Sequence, residues 1–117
     1  MKMKTINQQT LFQLRITFAF MLLCGAVLNV SAVAYNDGRM PVYNPENKYG
    51  NLNTTYHFSF QNFEDIKKPF LVDVIRIGFY QYSVGDLIMF VSIEAYFFIW
   101  IYEVILFYKN NFLYIIR

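Results

Sequence analysis

Two apolar stretches of membrane length frame a polar middle, and that arrangement constrains the fold more than any other feature of the chain. Residues 16–34, ITFAFMLLCGAVLNVSAVA, contain no charged side chain. Nineteen residues rising about 1.5 Å each cover about 28 Å, close to the hydrocarbon thickness of a bilayer. Residues 87–108, LIMFVSIEAYFFIWIYEVILFY, are long enough to do the same. A soluble core would mix apolar and polar residues throughout at helix or strand period. Here 56% of the 117 residues are hydrophobic and 21% aromatic, above the share of about 45–50% apolar residues in soluble domains. The expected fold is all-α and membrane-bound: two transmembrane helices joined by a long loop that carries a short interfacial helix. It forms one membrane domain over residues 1–117, with a span at 16–34, a loop at 35–82 holding an interfacial element at 69–77, a span at 84–108 and a tail at 109–117.

The first stretch has two readings. Lys2, Lys4 and Arg15 precede it, and Ala32-Val33-Ala34 ends it in small-x-small form. A secretory signal cleaved after Ala34 has that layout, and so does a retained helix whose last turn is small and polar. Cys24 sits inside the run as the single cysteine, so no intramolecular disulfide can form. Leu23 before it is not the small residue that normally precedes a lipid-anchoring cysteine.

The second stretch opens at Ser83-Val84-Gly85-Asp86. A serine at the N-cap can accept from a first-turn N–H. An acidic residue three positions later can reach back to the cap N–H and suits the positive helix end. Tyr96, Trp100, Tyr102 and Tyr108 add aromatic mass, and Tyr108-Lys109 suits an interfacial end. Glu94 and Glu103 stand inside the run, where a charge costs about 2.5–3.5 kcal/mol on insertion scales. Nine positions at about 100° each put them on opposite faces, so they form no paired acid site within one helix. Glu103 lies near the end, within reach of the interface. Glu94 is deeper and is the candidate intramembrane ionisable site, for a proton or a cation; a protonated, water-facing or partner-packed glutamate is the plainer alternative.

The middle is punctuated by Asn36-Asp37-Gly38, Pro41, Pro45 and Tyr49-Gly50-Asn51. Gly38 can take positive φ as a cap after the first helix. Arg39 then lies near that helix's negative end, and Met40, before a proline, should be extended. After Pro69, the run FLVDVIRI is too short to span; Asp73 and Arg76 would share a side of a short interfacial helix, with a strand as the alternative. His57 is the single histidine. With no second histidine or nearby cysteine at ligand spacing, no metal site is expected. No catalytic residue and no cofactor is expected either, for want of a nucleophile–base set or a Gly-rich phosphate loop. Lys67-Lys68 is only a pair, and the net charge is +2, so no nucleic-acid partner is expected.

Three stretches, in order, resemble a family of small bacterial integral membrane proteins known only as a domain of unknown function. Leu28-Asn29 at a helix end, followed by Asn36-Asp37-Gly38-Arg39-Met40-Pro41-Val42, is similar to that family's N-G-G-R-M-P-V. Pro69-Phe70-Leu71-Val72-Asp73-Val74-Ile75 is similar to its L-P-F-L-x-D-x-I, and Ser83-Val84-Gly85-Asp86-Leu87-Ile88 to its S-I-G-D-V-L-I helix start. The resemblance runs over roughly residues 22–93. It implies an integral membrane protein with no known activity, and a turn that follows a retained helix, which favours the uncut reading. It singles out Asn29, Gly38, Arg39, Met40, Pro41, Asp73, Ser83, Gly85 and Asp86 as motif residues of unknown role. The chain departs from the family in starting one helix before the turn, in carrying Glu94 and Glu103, and in the tail KNNFLYIIR; a shortened member is one reading of this.

The expected function is that of a non-enzymatic membrane subunit or structural or interaction protein of the cell membrane, multi-pass. Its partners would be the lipid bilayer and either copies of itself or another membrane subunit. The first alternative is a small transport or ion-conducting component using Glu94, with Asn29 across the helix pair as a candidate second group. The second is a membrane-surface binder or enzyme in which Arg39, His57, Asp73 and Asp86 converge at one mouth; turn and cap chemistry is preferred to it. The third is a secreted or anchored chain cut after Ala34. Five cations flank the spans on the terminal side and five lie in the loop (Arg39, Lys48, Lys67, Lys68 and Arg76). The denser short ends favour cytoplasmic termini.

Overall fold

The computed structural model describes residues 6–115; Lys2, Lys4 and Arg117, counted above for orientation, lie outside them. Two long antiparallel helices, α1 (Gln8–Tyr35) and α2 (Val84–Ile115), carry a small cap at one end. Both are long and apolar enough to cross a membrane. The cap contains strands β1 (Met40–Tyr43), β2 (His57–Phe60), β3 (Ile75–Ile77) and β4 (Tyr80–Tyr82), with 3₁₀ turns at Pro45–Asn47, Phe63–Asp65 and Pro69–Leu71. The molecule is 68 Å long and 27 Å across.

The helices exceed the apolar runs that announced them. Asn7 caps α1, its side chain accepting from Thr10 N at 2.7 Å, so the helix starts well before the charge-free run. α2 continues to Ile115, through most of the expected tail. The extension of α1 packs on α2, where Leu11 is buried and Arg15 pairs with Glu103.

A seven-residue repeat joins them. Leu11, Gly25 and Ala32 are buried on α1, with half-buried Phe18 in the same register. Gly85, Ser92 and Ile99 are buried on α2 at the same spacing. The repeat is graded: its bulky members, Leu11, Phe18 and Ile99, lie toward the chain ends, and its small ones lie toward the cap. A seven-residue seam keeps two helices in contact through a shallow left-handed coil, and small residues let the backbones approach. The approach is closest at Gly25 and Gly85. A Cβ at Gly85 would fall 2.7 Å from Gly25 O, and one at Gly25 2.7 Å from both Gly85 O and Met89 Cγ. Hydroxyls within the helices return to their own backbone: Ser31 to Val27 O and Ser92 to Ile88 O, both at 2.7 Å.

α1 ends in a six-residue capping turn. Gly38 N donates to Val33 O at 3.0 Å, while Asp37, at φ 56°, takes the left-handed position. Gly38 also has positive φ (81°) but serves as the residue that closes the turn. Asn36, buried, then pins the cap. Its amide donates to Ala32 O and Lys67 O, and its carbonyl accepts from Lys67 N.

The cap corrects the all-α expectation. β1 and β2 pair in parallel, Met40 against His57 through Tyr43 against Phe60. β3 and β4 form an antiparallel hairpin. Asp73 adds a parallel bridge to Val42 on the free edge of β1. The element expected as a short helix at 69–77 is a 3₁₀ turn, then this bridge, then β3. Val72, Val74, Ile75 and Ile77 are β-branched and favour extended backbone; β1 and β4 supply the partners that make it strand. Ala32, Met40, Phe60, Ile66, Leu71 and Val72 form the cap's buried core, seated on the end of α1 through Ala32.

Candidate functional site

Where α2 leaves the cap, its first turn closes on itself and on α1. Asp86 N donates to Ser83 Oγ and Ser83 N to Asp86 Oδ2, each at 3.0 Å. This is the reciprocal cap that the spacing of Ser83 and Asp86 anticipated. Asn29 reaches across from α1, its amide donating to Asp86 Oδ1 at 2.6 Å and its carbonyl accepting from Ser83 Oγ at 2.6 Å. Gly85 is required here because a side chain would strike Asn29. Asn29, Ser83, Gly85 and Asp86 are therefore one junction, with each side-chain polar group supplied by the others.

Beside the junction stand His57, Asp73 and Gln81. Asp73 is held by its backbone: its N donates to Pro41 O at 3.0 Å, and its O accepts from Tyr43 N at 2.9 Å. Its side chain is buried, with Oδ2 3.9 Å from His57 Nε2. Its Oδ1 has no hydrogen-bond partner. Gln81 donates from Nε2 to Tyr43 O at 2.6 Å, which leaves its buried Oε1 without a partner. The other face of His57 is anchored, Nδ1 lying 3.2 Å from Thr54 Oγ1. Burial, and then the charge of Asp86, push the Asp73 carboxyl from the ordinary 3.8 up to about 7. A buried acceptor left unsatisfied costs about 1–3 kcal/mol, so two side by side are a considerable penalty in so small a cap.

These three side chains form the shared wall of two cavities of about 540 Å³ each. One lies within the cap and is lined by the cations Lys48 and Arg76, with Arg76 stacked 3.5 Å over the Tyr49 ring. The other lies between the hairpin and α2 and is lined by Ile77, Tyr82, Leu87, Met89, Phe90 and Ile93, with Asp86 at its inner end. Chemically, the wall offers acceptors and an imidazole between a cationic chamber and an apolar one. It contains no nucleophile set against a base.

Of the motif residues, Asn29, Ser83, Gly85, Asp86 and Asp73 come together at this end of the helix pair. Gly38, Met40 and Pro41 build the turn and strand that support Asp73 from behind. Arg39 does not join them. Its guanidinium lies over the Phe58 ring, 5.2 Å from the centroid. His57 and Gln81 belong to the site, and only His57 was foreshadowed; a glutamine in a short polar strand carries no distinguishing pattern. Glu94 lies elsewhere, exposed on the face of α2 opposite the seam, with Asn29 committed to Asp86 and Ser83. Glu103 turns inward and pairs with Arg15 of α1. Among the described residues no group of three or more His, Cys, Asp or Glu side chains is placed to hold a metal ion.

The profile of a family of unknown function, DUF5317, matches residues 6–102. The chain belongs to this family. The matched stretch takes in α1, the whole cap and α2 as far as Tyr102, and with them all three motifs and the Asn29–Asp86 junction. The DUF5317 family carries no assigned activity. No curated protein and no solved structure matches the chain.

Proposed function

We propose that the chain is a two-span integral membrane protein without catalytic chemistry of its own, a subunit or interaction protein that holds a polar cap at one membrane face. The observation that carries this reading is the exposure of the helices. Only 11% of the most apolar window of each helix is buried. Phe12, Ile16, Phe20, Leu23, Val27 and Val30 face outward on α1, and Phe90, Phe97, Phe98, Trp100 and Ile105 on α2. A core helix of a soluble protein would bury such a surface; apolar patches of this extent call for lipid or a partner. α1 is a retained helix in this reading, because Gly25 and Asn29 fit α2 residue for residue and the family match begins before it. The termini lie in the cytoplasm and the cap on the other side. Further contacts to copies of the chain or to another subunit cover part of the outward faces.

Membrane fractionation with an alkaline carbonate wash, followed by intact-mass measurement and N-terminal sequencing, tests this. The full chain should stay in the pellet. Release into the wash, or a chain beginning at Tyr35, would overturn it.

A second reading, ion or proton transport, draws on a single observation: Glu94 faces outward among apolar side chains. Proteoliposome flux that is equal in the wild type and Glu94→Gln would remove it.

A further inference from the structure

We infer that the cleft between the β3–β4 hairpin and the first turns of α2 binds an amphiphile, its ammonium head held by Asp73 and Gln81 and its apolar body lying along Leu87, Phe90 and Ile93. This rests on the membrane reading for the route by which such a molecule arrives, from the bilayer. The binding chemistry stands on the cleft alone.

Asp73 is 5% exposed and lines the cavity with one carboxylate oxygen unpartnered. Gln81 lines it too; its amide is fixed to Tyr43 O, so its carbonyl is another acceptor without a donor. Both oxygens call for N–H or O–H groups. Asp86, at the inner end, has its oxygens taken by Asn29 and Ser83 but keeps its charge. The lining holds two carboxyl groups, the His57 imidazole and no lysine or arginine. A cation there relieves the Asp73–Asp86 repulsion, whereas a carboxylate or phosphate head would add to it.

The rest of the cleft suits a hydrocarbon chain. Phe90 and Ile93, 64% and 57% exposed, form a floor on the outer face of α2. Ile77 of the hairpin lines it as well. The exposure of Phe90 and Ile93 leaves that part of the cavity open to the surroundings of α2. The neighbouring chamber, lined by Lys48 and Arg76, has the opposite charge and would repel the same head.

The test uses the full chain in phosphatidylcholine nanodiscs at neutral pH, with a photoactivatable long-chain alkylamine as probe and mass spectrometry to locate the label. Labelling should concentrate on residues 87–93 and the hairpin. Dodecylamine should compete, while dodecanoic acid and ethylamine should not. Asp73→Asn should weaken labelling about tenfold, the scale of one lost charge-assisted contact, and Glu94→Gln should leave it unchanged. Gln81→Leu, expected to weaken it less, serves if Asp73→Asn fails to fold. Label spread evenly over both helices, equal competition by the fatty acid, or undiminished labelling in both cleft variants would overturn the assignment. Competition by ethylamine as strong as by dodecylamine would overturn the chain-binding half. Repeating the labelling in detergent separates the two readings: a chain that fails the carbonate wash yet still labels at the cleft refutes the membrane reading alone.

Discussion

The two ends of the helix pair both carry polar contacts, but of different kinds. At the cap end, Asn29, Ser83 and Asp86 are short side chains on backbones brought together at Gly25 and Gly85, and each polar group has one geometric solution. At the far end, Arg15 reaches Glu103, and Tyr102 Oη accepts from Ile6 N at 3.0 Å. These are long, half-exposed side chains that can meet over a range of helix separations. The first kind of contact specifies register and angle; the second compensates charge and tolerates movement. The candidate site sits at the cap end, where β1 holds Asp73 by its backbone and the close approach of Gly25 and Gly85 fixes the start of α2.

Substitutions at the two ends should separate accordingly. Gly85→Leu places a branched side chain against Gly25 O and Asn29, and the cost should be about 3 kcal/mol, the upper range for overpacking. Thermal melting of the purified protein in detergent would show it as the largest fall in midpoint. Asn29→Leu keeps the branching of the side chain but strips Ser83 and Asp86 of their cross-helix partner; about 2 kcal/mol is expected, read by the same melt. An Asn29→Leu protein as stable as wild type would mean the junction is incidental to the seam.

The Asp73 carboxyl adds a pH dependence confined to the cap end. Its pKa is raised on folding from 3.8 to about 7, so the folded protein binds the proton more tightly than the unfolded chain does. The associated stability is fully present below pH 3.8 and is lost as pH rises through about 7. Melting midpoints should therefore fall between about pH 4 and about pH 7, and Asp73→Asn should flatten that part of the profile. An unaltered profile in the variant would place the titration elsewhere. The smallest effect is expected at the far end, where Glu103→Gln should cost no more than about 1 kcal/mol. A loss there equal to that of Asn29→Leu would erase the distinction between the ends.

Much of the helix pair is legible in the sequence because hydrophobicity over membrane length and a Ser-x-x-Asp cap are local signals. Asn29 and Gly85 are legible as motif residues, though their contact is not: 56 positions separate them, and neither shows which helix face it occupies. The cap is less legible. Its strands are three or four residues long, too short for alternation to stand out, and the β1–β2 pair is parallel, which no local turn signals. Asn36 and Asn44, which look like loop residues, are buried organisers; Asn44 holds a turn by bonding Gly50 O and Tyr49 N.

The sequence by itself determined that this chain has two helices of membrane length, where α2 starts and how it is capped, and that Glu94 and Glu103 point in opposite directions. Those are consequences of residue type and helical period. Tertiary structure alone decided that Glu103 meets Arg15, that Arg39 turns to Phe58 instead of Asp73, and that His57, Asp73 and Gln81 stand between two cavities. Each of these depends on which backbone lies beside which, and long-range proximity is set by the packing of the whole chain.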